Sequence, residues 1–266
     1  MKTFIIDSFT DRVFKGNPAG VCFVESPLSA ETMLHIAQEL NLSETAFISK
    51  LDSKQHFSIR YFSPKMEIAL CGHATLASAK AVFAVYRVPE VHFKNIHNLD
   101  LAVRACGDQI SMTFPIYDTH PAEAPAAMLA ALGLKSVRNV AHNRQTKILL
   151  LEIASPQELA NLEPDFPALL RSHDSINGVL VTAPSSNDGY DFHSRYFWPW
   201  SGTNEDPVTG GSQAFLAKYW SKRLGKTRMK SFQASQRSGF MDVELVDGKV
   251  LITSQAVIVF EGEISV

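Results

Sequence analysis

Arg60-Tyr61-Phe62-Ser63-Pro64 is followed, eight residues after its proline, by Gly72-His73-Ala74-Thr75 and an apolar run. The pattern returns as Arg195-Tyr196-Phe197-Trp198-Pro199, then Gly210-Gly211-Ser212-Gln213, then the apolar run Ala214 to Trp220. One strand, proline turn and glycine-led helix, used twice, predicts a duplicated unit and two similar domains. Two such helix starts facing each other across a domain interface would line a cleft with backbone N–H donors, which suits a small anion.

The helices after the glycines read as buried. In His73 to Val85 small or apolar residues occupy nearly every face, and a helix apolar all round lies inside a domain. Gly211 to Arg223 has the same character, with Gly225 as its stop. Ala30 to Leu40 reads as a further helix, capped by Ser29. Short apolar runs bounded by turn residues read as strands: Phe4 to Phe9, Gly20 to Val24, Ala46 to Leu51, Phe57 to Phe62, Leu99 to Arg104 and Gln109 to Phe114. Three prolines between Pro115 and Pro125 mark a linker. Beyond it come a helix from Ala126 to Leu132, strands near Lys147 to Ile153 and Gly178 to Thr182, and a helix-and-loop stretch from Pro156 to Arg171. Gly239 to Val246 and Lys249 to Thr253 meet at Asp247-Gly248, a type I′ hairpin signal, and Ala256 to Glu261 follows as a last strand. The expected domains are 1–116 and 117–255, with the last strand, 256–266, able to return to the first.

Bulk properties narrow the function classes. The 266 residues carry a net charge of −2 with no basic block, which argues against nucleic acid as a partner. Cys22, Cys71 and Cys106 are odd in number and fit a reducing compartment better than a disulfide framework. No run reaches the length of a membrane span and the first residues do not read as a signal segment, so the expected location is cytoplasmic, with no membrane partner. A homodimer is left open, since nothing in the sequence decides it.

With the two halves aligned, Asn41 to Ile48 falls opposite Ser175 to Thr182, so Glu44 in the first is matched by Gly178 in the second. That asymmetry singles out Glu44, which otherwise reads as a solvated loop carboxylate. Asp206, just ahead of the second central helix, reads either as a helix cap or as a second working carboxylate. His73 at the first helix start reads either as a packed histidine satisfied by backbone or as a site residue, neutral because the positive end of the dipole disfavours the imidazolium. The same position should lower the pKa of Cys71. Scattered histidines without i, i+4 pairing and distant cysteines argue against a metal site. No GxGxxG, GxxxxGK[ST] or GxSxG motif occurs, which disfavours dinucleotide, P-loop and serine-hydrolase chemistry.

Asp7-Ser8-Phe9-Thr10, Phe14 to Gly20, Asn41 to Phe47, Arg60 to Ala77 and Glu205 to Gly210 together resemble the PhzF-like (phenazine-biosynthesis-like) isomerase family. The form of Arg195 to Gly210, with Phe232-Gln233 beyond, is most similar to the phenazine-biosynthesis-like domain proteins also found in animals. The resemblance implies a diaminopimelate epimerase-like α+β fold: two pseudo-symmetric domains, each a mostly antiparallel sheet around a central helix, with the site between them. It implies no cofactor, Glu44 as the group that moves a proton between carbons, and His73 and Asp206 as its assistants. Substrate contacts are then expected from Asn17, Ser43, Cys71, Gly72, Ala74, Thr75, Thr209, Gly210, Gly211 and Ser212. Related epimerases use two cysteines; here only Cys71 stands at such a place and Thr209 takes the other. Gln233-Ala234-Ser235-Gln236-Arg237-Ser238-Gly239 departs from the Gln-Gly and Gly-Arg pattern of many bacterial members. The expected activity is isomerisation of a small anionic, carboxylate-bearing metabolite. The alternative is a ligand-sensing or protein-interaction module with a retained, inefficient cleft.

Overall fold

The computed structural model of the protein describes residues 1–52, 55–186 and 188–266. In chain order it begins with β1 (Lys2–Ser8), β2 (Asn17–Phe23), α1 (Ala30–Leu40), β3 (Glu44–Lys50) and β4 (His56–Phe62). There follow β5 (Glu67–Ile68), α2 (Gly72–Tyr86), β6 (Glu90–Lys94), β7 (Asp100–Cys106) and β8 (Gln109–Pro115). The middle of the chain forms β9 (His120–Pro121), α3 (Ala126–Leu132), β10 (Asn139–Asn143), β11 (Ile148–Glu152), α4 (Pro156–Ala160) and α5 (Phe166–Arg171). Next are β12 (Gly178–Pro184), β13 (Phe192–Trp198), β14 (Thr203–Asp206) and α6 (Gln213–Leu224). The chain closes with β15 (Arg228–Gln233), β16 (Gly239–Val246), β17 (Lys249–Ser254) and β18 (Ala256–Glu263). Two compact units result, one of Met1–Thr113 with Leu251–Val266, the other of Phe114–Val250.

In the first unit β18, β1, β2, β3, β4, β6, β7 and β8 pair in that order, with parallel joins at β2–β3 and β4–β6 and antiparallel joins elsewhere. The sheet wraps around α2, which packs against β1, β2, β3, β6, β7 and β18. Its run of small residues makes this close approach feasible: Ala74, Ala77, Ala79 and Ala81 are fully buried. On the other side of the sheet Met33, Ile36 and Ala37 of α1 pack on Cys22, Phe47 and Phe62. Strands covered on both faces are apolar without alternation, which is why they read as continuous runs.

The second unit repeats the plan. Strands β9, β10, β11, β12, β13, β15 and β16 pair in order, parallel at β11–β12 and β13–β15. Helix α6 packs on β15 and β16. Trp220 of α6 stacks on Phe192 with ring centroids 5.5 Å apart and donates to Thr182 Oγ1 at 2.9 Å. Helices α3, α4 and α5 form the outer layer through Met128, Leu132, Leu159 and Leu169, packed on Leu149, Leu151, Val179 and Val181.

Several expectations are corrected. The second central helix begins at Gln213, after a 3-10 turn at Gly210–Ser212, because two successive glycines lack the backbone bias that sustains an α-helix. Strand β3 starts at Glu44 rather than Ala46, since its backbone is already in parallel register with Ala19 of β2. The proline-rich stretch follows the boundary between the units at Thr113 and Phe114 and is ordered onto the second: Tyr117 N–H donates to Ala214 O at 2.7 Å, and His120 and Pro121 pair with His142 and Ala141. Strands β6 and β15 are additions. Their lysines and arginines hide an alternation that buries Val91, Phe93, Met229 and Ser231. Among the described residues no helix is long and apolar enough to cross a membrane.

Candidate active site

The start of α2 brings four of the expected residues of the first unit together. Cys71 is its N-cap, in extended conformation and without a side-chain cap bond, so the next residues project from the first turn. Ser8 Oγ donates to His73 O at 2.8 Å and Tyr61 OH lies 2.6 Å from Thr75 Oγ1, which fixes that turn to β1 and β4. His73 Nε2 then stands 3.1 Å from Glu44 Oε2, and its Nδ1 lies 3.4 Å from Cys71 Sγ. Ser43 Oγ is 3.4 Å from the same Nε2 and donates to Pro18 O at 3.4 Å. Glu44, Cys71 and His73 are all buried, so their charges act on one another with little screening by water.

These contacts set the ionisation. Burial raises the Glu44 carboxyl, but hydrogen bonding and charge from His73, aided by Ser43, bring it below the usual value. Burial disfavours the His73 imidazolium, yet the adjoining Cys71 sulfur and the Glu44 carboxylate hold it well above its ordinary value. For Cys71 burial dominates and pushes the thiol up; the His73 charge and the Ala74 N–H act against it, and Glu44 adds to the rise. A His73–Glu44 ion pair agrees with the directions of both partners, and the raised thiol of Cys71 agrees with its burial. Two expectations are therefore overturned. His73 is pushed toward the imidazolium, because the Cys71 sulfur and the Glu44 carboxylate 3.1 Å away outweigh its burial. Cys71 is not a low-pKa thiol, because its sulfur is buried.

The expected row of N–H donors is shorter than the sequence implies. Thr75 N–H is engaged by Cys71 O at 3.0 Å, the first bond of the helix. Gln213 N–H is likewise taken up by the Gly210 and Gly211 carbonyls. Asn17, the first residue of β2, pairs in the sheet with Ser8 and is fully buried. Asn41 serves as the left-handed C-cap of α1.

In the second unit Asp206 ends β14 and is nearly buried. Thr209 Oγ1 donates to Asp206 Oδ2 at 2.5 Å, and the Thr209 N–H donates to Gln233 Oε1 at 2.9 Å. Gln233 Nε2 returns a bond to Asp206 O at 2.7 Å. Ser212 Oγ closes onto Thr209 O at 2.8 Å. The N-cap residue of the 3-10 turn is Thr209, which makes no side-chain cap bond, and Asp206 stands three residues before it. Gln233 was not among the expected site residues; it ends an unrecognised strand, β15, and only a correct assignment of that strand would have pointed it at Asp206.

The register between strands makes the two halves comparable residue by residue. Phe62 pairs with Thr45 and Phe197 with Val179, so the place before each is Glu44 in one unit and Gly178 in the other. Tyr61 pairs with Ile68 and Tyr196 with Asp206. Both units keep a bidentate ion pair beside this place: Arg60 to Glu67 at 2.7 and 2.8 Å, and Arg195 to Glu205 at 2.7 and 2.9 Å. The scaffold is duplicated, and the two unmatched carboxylates, Glu44 and Asp206, are where the copies part.

Known proteins resemble the chain along nearly its whole length. Residues 6–262 match the family profile described as phenazine biosynthesis-like protein. A phenazine biosynthesis-like domain-containing protein of Pongo abelii is 38% identical over 284 residues, covering 99% of this chain and 98% of its own. A protein of Halalkalibacterium halodurans named as an uncharacterized isomerase is 37% identical, covering 98% of this chain and 97% of its own. Among solved structures, a phenazine biosynthesis protein of the PhzF family from Enterococcus faecalis superposes with a TM-score of 0.92 at 37% identity, covering 100% of this chain and 99% of that one. A probable proline racemase from Agrobacterium radiobacter shares the fold alone, with a TM-score of 0.61 at 11% identity and coverage of 99% and 92%. With its duplicated, helix-centred α+β architecture and this likeness from end to end, the chain belongs to the phenazine biosynthesis-like (PhzF) family.

Proposed function

We propose that this protein is an isomerase that moves a proton between carbon atoms of a small carboxylate-bearing metabolite, with Glu44 as the acid and base. The observation that carries the reading is the nearly buried Glu44–His73 pair at the start of α2, with Nε2 to Oε2 at 3.1 Å. The name of the Halalkalibacterium halodurans relative, an isomerase, agrees with this class of reaction.

The chemistry follows from the charge state. Glu44 starts as a carboxylate and takes a proton from a carbon beside the substrate carboxylate, leaving negative charge on the substrate. The protonated Glu44 no longer balances the His73 imidazolium, so that cation, together with the N–H groups of the α2 start, is freed to stabilise the anion as it forms. Returning the same proton to a different carbon restores both the carboxylate and the ion pair, and no net proton or electron is exchanged. A lowered Glu44 pKa makes it a weak base by itself. The reading therefore needs the imidazolium as partner in the transition state, and Glu44 without His73 should be nearly inert.

Asp206, with Thr209 and Gln233 fixing its orientation, is proposed as the assisting carboxylate. Cys71 is buried with a raised pKa and is not proposed as an acid or base. The test is a panel of small carboxylates incubated with the protein in deuterated water, with carbon-bound deuterium read by mass spectrometry. Exchange or isomerisation that is lost in both Glu44→Gln and His73→Gln supports the reading. Ligand binding without any exchange would support the sensing alternative.

A further inference from the structure

The geometry points to a second use of the first unit's cluster: we propose that Glu44, Cys71 and His73 form a site for a zinc-class divalent cation, and that its occupancy shuts off proton transfer. The binding site stands on its own geometry; only the inhibitory consequence rests on the isomerase reading above.

A carboxylate oxygen, a sulfur and an imidazole nitrogen from these three residues lie within 4.8 Å of one another, and no other such group occurs among the described residues. Zinc holds imidazole nitrogen at about 2.0 Å, thiolate sulfur at about 2.3 Å and carboxylate oxygen at about 2.1 Å. Tetrahedral angles then require nitrogen and sulfur roughly 3.6 Å apart, and nitrogen and oxygen roughly 3.4 Å apart. In the protein Nε2 of His73 is 3.9 Å from Cys71 Sγ and 3.1 Å from Glu44 Oε2. These two pairs need shifts of a few tenths of an ångström, and the sulfur and carboxylate, within 4.8 Å of each other, close toward the roughly 3.6 Å that zinc requires through side-chain torsions.

The donor types select the ion. Magnesium and calcium favour all-oxygen sites, whereas mixed sulfur, nitrogen and oxygen donors favour zinc and its neighbours. The charges also balance: a dication with one carboxylate, one thiolate and a neutral imidazole is neutral overall, which a nearly buried site requires. Binding expels the thiol proton and the imidazolium proton to solvent. Three protein ligands leave a fourth position for water or for Ser43 Oγ, which is 3.4 Å from Nε2. The second unit has nothing comparable among the described residues, since Gly178 stands at the place of Glu44 and the turn after Asp206 runs Thr209-Gly210-Gly211.

The experiment is a titration of metal-free protein with Co²⁺, the spectroscopic stand-in for zinc, with no substrate present. One equivalent should produce a thiolate-to-cobalt charge-transfer band and the intense visible bands of four-coordinate cobalt, both removed by added Zn²⁺. Cys71→Ser should lose the charge-transfer band, Cys106→Ser should keep it, and Glu44→Gln should weaken binding by roughly tenfold or more. Prolonged alkylation that slowly reaches the buried Cys71 in the metal-free protein should be slowed there by bound metal, read by peptide mass spectrometry on the unaltered protein, which gives the same answer without a variant. Absence of the band, or a band that survives Cys71→Ser, overturns the site. If cobalt binds as described and no carboxylate exchanges deuterium, the isomerase reading fails while the site stands. If exchange occurs and stoichiometric zinc leaves it unchanged, the inhibitory role is overturned.

Discussion

Gly178 lies against the ring of Tyr196 so tightly that a Cβ there would come within 2.6 Å of Tyr196 Cε2. The ring occupies the space that a glutamate would need at the second unit's counterpart of Glu44. The same Tyr196 pairs across the strands with Asp206, whose charge, after burial, raises the phenol's pKa. Between the two copies the carboxylate has in effect moved from one flank of the central strand to the other, from the counterpart of β12 to β14, which both pair with β13. Gly178→Ala should destabilise by about 1–3 kcal/mol through overpacking. Tyr196→Ala in the same chain should relieve part of that cost, so a double-mutant cycle in urea should be clearly non-additive. Additive effects would show that the ring is not what excludes a side chain.

The Glu44–His73 pair makes a signed prediction with pH. A carboxylate lowered on folding contributes stability that is full above its unfolded value of 4.5 and is lost as pH falls through the folded value. An imidazole raised on folding contributes stability that is full below 6.5 and is lost as pH rises through the folded value. The pair's contribution is therefore greatest between pH 4.5 and 6.5. Thermal unfolding of the protein and of Glu44→Gln across pH should differ most in that window, by about 1–3 kcal/mol. A difference that does not vary with pH would contradict the ion pair.

The two arginine pairs should behave differently despite their common origin. Arg60 and Glu67 are 29% and 25% exposed, whereas Arg195 and Glu205 are 10% and 17% exposed. Arg195 also donates through one guanidinium nitrogen to the carbonyls of Leu159, Ala160 and Leu162, tying the end of α4 to β13. A lysine cannot reproduce that fork, so Arg195→Lys should cost about 3 kcal/mol or more. Arg60→Lys should cost about 1 kcal/mol or less. Chemical denaturation of the two variants checks the order.

The three thiols should separate by reactivity. Cys106 is exposed, while Cys22 is buried with its thiol pushed up to about 11 and Cys71 is buried and raised as well. Brief alkylation of the native protein at neutral pH should modify Cys106 alone. Rapid labelling of Cys71 would show that it has the thiolate character its place at a helix start suggests.

The doubled Arg-Tyr-Phe and glycine segments made the central helices and the duplication legible, because buried all-apolar helices and glycine-led starts are local signals. Ser29, Gly225 and the Asp247-Gly248 turn, where both residues take positive φ, were also readable, since caps and tight turns are set by one or two residues. Strands β6, β10, β14 and β15 were hidden, because polar or charged residues break their apolar runs and pairing with distant strands sustains them. Sequence singled out Glu44, His73 and Cys71, which lie together in the structure, but it expected the opposite direction of ionisation for the last two. A helix dipole is visible in sequence. A carboxylate 3.1 Å from the imidazole and the burial of the sulfur are set by tertiary packing. Gln233 escaped for the same reason, as its bonds to Thr209 and Asp206 span 24 and 27 residues.

Deuterium transfer at Glu44 tests the central claim most directly. With a carboxylate that the protein isomerises in deuterated water, the unaltered protein should place deuterium on carbon, and Glu44→Gln should lower the rate by about 10²-fold or more. Asp206→Asn should lower the rate by a smaller factor. Full exchange by Glu44→Gln, in a variant that unfolds like the unaltered protein, would contradict the proposal that Glu44 carries the proton.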